Sequence, residues 1–218
     1  MSPAAPGAAQ PDRDCPLCPR LAAFRLTQRS LFPDWHNAPV ASFGSDHVRL
    51  LIVGLAPGLR GANRTGRPFT GDFAGVLLYA TLGKFGFAHG GYAERSDDGL
   101  TLIDCRITNA VRCVPPENKP EPAEIAACNR FLVAEIRSLP RLKAVLALGA
   151  IAHQAVLMAL GERRSAFPFG HGAVHTLSGG LLLADSYHCS RYNTNTGKLT
   201  QAMFEAIFAD IRARLDAG

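Results

Sequence analysis

Three stretches of this chain carry residue types suited to chemistry rather than to packing alone. The first, GLAPGLRGANRTGRPFTGD from Gly54 to Asp72, holds five glycines, three arginines, one phenylalanine and one carboxylate. It follows the apolar run RLLIV, and glycine in such a loop lets backbone approach a ligand closely. The phosphate-binding motifs do not fit. No Lys-Ser or Lys-Thr pair follows the glycines, and GLAPGLRG does not match G-x-G-x-x-G. A plain surface turn of Gly and Pro is the bland alternative, and the length and chemistry of the loop argue against it. The second stretch is ITNAVRC, where Asn109 stands inside an apolar run and its buried amide must find partners. The third is HCSRYNTNTGKLT, led by His188.

The chain also has six cysteines. Cys15 and Cys18 form a C-x2-C pair in DCPLCPR; the others are Cys105, Cys113, Cys128 and Cys189. With no secretory leader in the sequence, such thiols read as metal ligands or core residues rather than disulfides. Cys105 opens an apolar strand and reads as a packed core thiol. The 218 residues suit one well-packed domain, and the formal charge of +5 is a mild bias toward polyanions. No segment is long and apolar enough to span a membrane.

The elements that must position these residues alternate. Residues 1–14 read as a flexible Pro/Ala tail and 15–218 as a single domain. A short helix is expected over CPLCPRLAAFRLTQRSLF, followed by the turn-rich loop PDWHNAPVASFGSD. RLLIVG, CRITNAVRC and KAVLALG read as buried strands. Helices are expected over GDFAGVLLYATLGKFGF with Asp72 as N-cap, over EPAEIAACNRFLVAEIRSL, AIAHQAVLMAL and GKLTQAMFEAIFADIRARL. VPPENKPEP cannot be helical. HGAVHTLSGGLLLADSYHCS reads as strand, turn and strand. This alternation predicts an α/β fold, a three-layer α/β/α arrangement around a mainly parallel sheet. Ligands in such folds bind beyond the carboxyl ends of the strands, where all three chemical stretches should converge.

GLAPG, NRTGRPFTGD, TNAVRCVPPENKP and H-x-S-R-Y-N-T-N-T-G-K-L-T together resemble the family 5 uracil-DNA glycosylases. The likeness runs from about Cys15 to the final helix, and GRPFTGD and the histidine loop are its specific parts. It implies an α/β/α fold, removal of uracil from DNA, and a 4Fe–4S cluster. The implied ligands are Cys15, Cys18, Cys113 and Cys128, the last two separated by 14 residues. Four cysteines also suit tetrahedral zinc, and the sequence alone does not choose; four unrelated buried thiols are the remaining alternative.

By the same resemblance, Phe69 would stack on a flipped base, and Asn109 would read uracil by donating to a carbonyl and accepting from the ring N–H. His188 would donate to the departing base anion. Asp72 would position water or face the sugar cation, besides capping its helix. Gly54, Leu55, Ala56 and Gly58 would line the uracil site. Leu55 and Ala56 leave no polar side chain where family 4 has a Glu. Arg191 and Tyr192 would face DNA, with Arg60, Arg64, Arg67, Arg112, Lys119 and Lys198 as phosphate contacts. His188-Cys189-Ser190 departs from the usual His-Pro-Ser, which is expected to loosen that loop. His153 and His171 match no motif position and read as structural. The implied enzyme is a monofunctional hydrolase using water, since no lysine in the motifs suits a Schiff base. Its partner would be DNA containing uracil or another deaminated base, and the chain a cytoplasmic, nucleoid-associated monomer. The rival reading is an inactive iron–sulfur nucleic-acid-binding relative.

Overall fold

A computed structural model describes residues 10–217. In chain order the elements are α1 (Pro19–Leu31), β1 (Leu50–Gly54), α2 (Ala62–Thr65), α3 (Phe73–Lys84), β2 (Ala88–His89), β3 (Thr101–Leu102), β4 (Cys105–Asn109), α4 (Pro122–Ser138), β5 (Ala144–Leu148), α5 (Ala150–Leu160), β6 (Val174–Thr176), β7 (Leu182–Ser186), α6 (Arg191–Asn195) and α7 (Gln201–Ala217). The main sheet has the order β4-β1-β5-β7-β6. Its first four strands run parallel and β6 joins the edge antiparallel to β7. LLIVG and AVLAL are buried at every position, as central strands covered on both faces must be.

Side-chain alternation divides the core. Leu50 and Ile52 of β1 pack with Leu78 of α3 and Phe204 and Phe208 of α7. Leu51 and Val53 face the other way, against Leu132 of α4 and Val156 of α5. The expected three layers are therefore present. The first helix starts later than expected, at Pro19, because proline suits the first helical position and leaves the Cys15–Cys18 segment outside. Asp72 caps α3 as expected, its Oδ1 accepting from the Gly75 N–H at 3.2 Å. The β2–β3 ribbon, α2 and α6 have no counterpart in the sequence reading; each is too short for periodicity to reveal.

Residues 1–9 of the expected tail lie outside the described residues. Gln10, placed in that tail, instead grips the domain: its Oε1 accepts from Arg112 Nη1 at 2.9 Å and from the Ser42 N–H at 3.2 Å. Arg112 itself corrects an expectation. Read as a phosphate contact, it is 1% exposed and paired with the equally buried Glu135. Glu135 also accepts from Arg106 Nε at 2.7 Å. A guanidinium this deep cannot reach a phosphate.

Removing one member of a buried ion pair leaves an uncompensated charge, at a cost of about 3–5 kcal/mol. Glu135→Gln strands the positive charge of Arg112 and weakens its hold on Arg106. We expect urea unfolding to show a loss of about 3 kcal/mol. A loss under about 1 kcal/mol, the range of exposed pairs, would mean that Glu135 is not holding these charges in place.

Candidate active site

A cavity of about 720 Å³ opens beyond the carboxyl ends of β1 and β4. Leu55, Ala56 and Gly58 line it from the loop after β1, Phe69 and Asp72 from the next turn, Asn109 from the end of β4, and His188 and Arg191 from the segment after β7. All three sequence stretches thus meet at one site. Gly54 lies beneath the cavity and is not part of its lining. Its role is spatial: a Cβ there would lie 2.4 Å from Asn109 Oδ1 and 2.6 Å from Phe69 Cζ. Only glycine lets both side chains close over the strand end.

Phe69 occupies the left-handed region at φ 52°, a strained conformation for a bulky residue that persists only where its surroundings enforce it. They do. Tyr92 Oη donates to the Phe69 carbonyl at 3.1 Å and accepts from the Gly71 N–H at 3.2 Å. Tyr79 Oη donates to the Pro68 carbonyl at 2.6 Å. Gly75 carries no Cβ, which would fall 1.8 Å from the Phe69 carbonyl oxygen. Arg67 completes the clamp. Its guanidinium forks onto Asp98 at 2.8 and 2.7 Å, its Nε donates to Thr70 Oγ1 at 2.8 Å, and it stacks over Phe43 at 5.1 Å. Arg67 is 4% exposed, so it too is corrected from a phosphate contact to a brace of the loop. Nothing in the sequence marks Tyr92 or Asp98 as its partners, because both lie beyond α3.

Asn109 is 3% exposed, and its Oδ1 has no hydrogen-bond partner among the described residues. A buried unmet acceptor costs about 1–3 kcal/mol, which a ligand N–H entering the cavity would relieve. The His188 ring lies 6.0 Å from the Phe69 ring, centroid to centroid. No partner for its ring nitrogens is found among the described residues, while its backbone carbonyl accepts from Asn193 Nδ2 at 2.8 Å. Burial pushes the imidazole pKa down to about 4, leaving it neutral near pH 7 with one donor and one acceptor nitrogen. The following Cys189, in place of the usual proline, is 0% exposed and its thiol faces the Ala74 carbonyl at 3.6 Å. The thiol thus packs this loop against the first turn of α3.

Burial raises the Asp72 pKa, opposed by the N–H groups of Gly75 and Ala74. Its Oδ2 faces the glycine loop: a Cβ on Gly61 would fall 2.5 Å from it and one on Gly58 3.2 Å. Capping through Oδ1 leaves Oδ2 toward the cavity, so the two readings of this carboxylate are compatible. Arg191 is exposed and lies over the Phe73 ring at 5.3 Å. Tyr192 is 74% exposed and outside the cavity lining. Arg60, Arg64, Lys119 and Lys198 are exposed. Asn118, from the proline-rich loop, also lines the cavity; a polar residue in a turn gives no signal of that. His153 bridges Asp185 at 2.7 Å and the Phe167 carbonyl at 2.9 Å, and His171 Nδ1 accepts from the Tyr187 N–H at 3.1 Å, the structural roles expected of them.

A second pocket, lined by Cys15, Cys18, Cys113 and Cys128, joins the N-terminal segment to α4 and to the run after β4. The Arg112 N–H donates to Cys128 Sγ at 3.4 Å, and Arg25 Nη1 to Cys113 Sγ at 3.3 Å. Leu21, Val111 and Phe131 supply its apolar wall. Among the described residues no three Cys, His, Asp or Glu side chains gather as a lone metal ion requires. Cys105 is buried at 0% in the core, as expected.

The family model described as "Uracil DNA glycosylase superfamily" matches residues 41–212. This chain belongs to the uracil-DNA glycosylase superfamily. It is 46% identical over 204 residues to a type-5 uracil-DNA glycosylase of Thermus thermophilus, covering 91% of this chain and 92% of that protein. It is 43% identical to the type-5 protein of Mycobacterium leprae, covering 91% and 90%. A type-4 uracil-DNA glycosylase of Thermotoga maritima is 37% identical, but over 52% of this chain and 51% of the relative. Within the superfamily the likeness to type-5 members therefore extends over nearly the whole chain.

The depressed His188 pKa has a direct consequence. A histidine whose folded value lies below its unfolded value of about 6.5 makes the unfolded state bind more protons between the two. Its contribution to stability is therefore present above about pH 6.5 and is lost as pH falls toward the folded value. We expect the His188 ring resonances to stay flat from about pH 7.5 down to about 5.5, while an exposed histidine titrates. Titration of His188 with an ordinary midpoint would remove the neutral-donor assignment.

Proposed function

We infer that this protein is a uracil-DNA glycosylase that hydrolyses the bond between uracil and deoxyribose and leaves an abasic site. The supporting observation is the conjunction of Phe69, neutral His188 and the unmet buried acceptor of Asn109 in one cavity. Its curated relatives carry the same activity in their names. The alternative of an inactive nucleic-acid-binding relative gives no reason for these three side chains to meet, nor for the strain stored at Phe69.

A base within a duplex is out of reach, so the target must rotate into the cavity. Phe69 offers it a ring face. Asn109 Oδ1 accepts from the ring N–H while its amide N–H donates to the adjacent carbonyl, a pattern that cytosine cannot satisfy. As the glycosidic bond breaks, negative charge collects on the base and positive charge on the sugar. His188 donates to the carbonyl gaining charge, and the backbone N–H groups of the Gly54–Gly58 loop are further candidate donors. Asp72, through Oδ2, faces the sugar side and serves the cation or the attacking water. Leu55 and Ala56 offer no polar side chain for that water. Neither Lys119 nor Lys198, the lysines of the motif stretches, lines the cavity, which supports a monofunctional reaction without strand cleavage. Exposed Arg60, Arg64, Lys119, Arg191 and Lys198 would meet phosphates without reading sequence, and Tyr192 would lie against the DNA.

The thiol pocket fits an iron–sulfur cluster of the 4Fe–4S kind. Four thiols line it, two receive N–H donors, and its wall is apolar, as such clusters require. Cys15, Cys18, Cys113 and Cys128 would be the ligands, and the group would supply four bonds cross-linking the N-terminal segment, α4 and the chain after Asn109. Zinc is the other occupant of such a set; the resemblance to the iron–sulfur family favours the cluster.

The test is release of uracil from a U·G duplex, read by alkaline cleavage of the abasic product, under single turnover with enzyme in excess. His188→Ala removes the donor to the departing base and should slow release by about 100-fold or more, a loss of about 3 kcal/mol. Asp72→Asn keeps a capping side chain and should slow it less. No release by the parent protein would overturn the assignment; Asp72→Asn as the slower variant would shift the chief role to the carboxylate.

A further inference from the structure

The buried arginines of this protein are Arg25, Arg67 and Arg112. Arg67 is paired with Asp98 and Arg112 with Glu135. Arg25, in α1, is 3% exposed and has no carboxylate within 4.0 Å among the described residues. Its neighbours Arg20 and Arg29 take Glu124 and Asp14. Its own contacts are to the thiol pocket: Nη1 donates to Cys113 Sγ at 3.3 Å and Nη2 to the Cys15 carbonyl at 3.1 Å. Its Nε is buried with no partner among the described residues.

A guanidinium does not give up its proton in a protein, and an unpaired charge held out of water is strongly disfavoured. Neutral thiols do not compensate it. Four thiolates around an iron–sulfide core do, because that assembly carries net negative charge. We propose that Arg25 is the built-in counter-charge of the proposed cluster, holding the anionic group between Cys15 and Cys113 and raising its reduction potential. The inference rests on the iron–sulfur reading of that pocket. Its physical basis is that one-electron reduction adds negative charge to the cluster. A fixed positive charge and an N–H···S bond therefore stabilise the reduced form more than the oxidised one. Arg25 is not part of the lining of the Asn109 cavity, so its direct contact is with the cluster and not with the base.

The experiment compares the parent protein with Arg25→Lys and Arg25→Met, purified without oxygen. Iron and sulfide per chain are measured, then the reduction potential by voltammetry, then the rate of cluster bleaching in air. Arg25→Met should hold less iron, or, where loading is equal, show a lower potential. The expected shift is at least a tenfold change in the oxidised-to-reduced ratio at fixed potential, about 59 mV for one electron. It should also bleach several-fold faster. Arg25→Lys, which keeps the charge and loses the fork, should fall between Met and parent. A parent protein without iron and sulfide would overturn the cluster reading itself, and this inference with it. A loaded parent with an Arg25→Met variant of equal iron, potential and bleaching rate would overturn this inference alone. Lys and Met variants depleted to the same degree would also overturn it, since charge would then play no part.

Discussion

The site depends on one close approach. At the end of β1 the backbone of Gly54 comes so near Asn109 and Phe69 that a single methyl group would overlap both, at 2.4 and 2.6 Å. The parallel register that sets Gly54 against Asn109 continues past the strands. The Ala110 N–H donates to the Gly54 carbonyl at 2.9 Å and the Val111 N–H to the Leu55 carbonyl at 3.0 Å. Three segments distant in sequence are thereby fixed to within a side-chain radius of one α-carbon. The Asn109 acceptor can be left unmet because the strand ladder, rather than the amide, holds its backbone.

The strain at Phe69 is maintained by buried polar groups, and these explain why two arginines read as DNA contacts are inside. Arg67 brings charge, a planar fork and an aromatic-stacking face to one loop; with Asp98, Tyr79 and Tyr92 it fixes the carbonyls on either side of Phe69. Arg112 does comparable work on the other side of the sheet, tying α4 and Gln10 to the chain after Asn109. Both would be weak stabilisers on an exposed surface. Buried, they specify geometry, because each alternative arrangement strands a charge.

Much of the arrangement was legible in the sequence. Apolar runs of strand length alternating with amphipathic segments were enough for the three layers, since central parallel strands must be apolar throughout. Phe69, Asn109, Asp72 and His188 were legible from motif resemblance, and their convergence from the rule that ligands sit beyond strand ends. What was hidden was depth. A motif arginine looks the same in sequence whether it meets a phosphate or an aspartate 31 residues later. The effect of Cys189 was equally hidden. Proline would fix one backbone angle, whereas a thiol of 0% exposure against Ala74 anchors the same loop by packing.

The two pockets share a backbone. Three residues separate Asn109 from Cys113, and among them Arg112 donates its N–H to Cys128 Sγ and its guanidinium to Glu135. Any group that fixes the four cysteines therefore also fixes the exit of β4, and with it the direction of the Asn109 amide. On the proposed reading, base recognition needs that amide held to within hydrogen-bond tolerance, a few tenths of an ångström. A loop ending in solvent would not provide this. A loop closed by bonds to α4 and to the segment before α1 would. On the same reading, a metal site would stand on the far side of a strand end from the chemistry. It would contribute rigidity where the sheet's own hydrogen bonds stop.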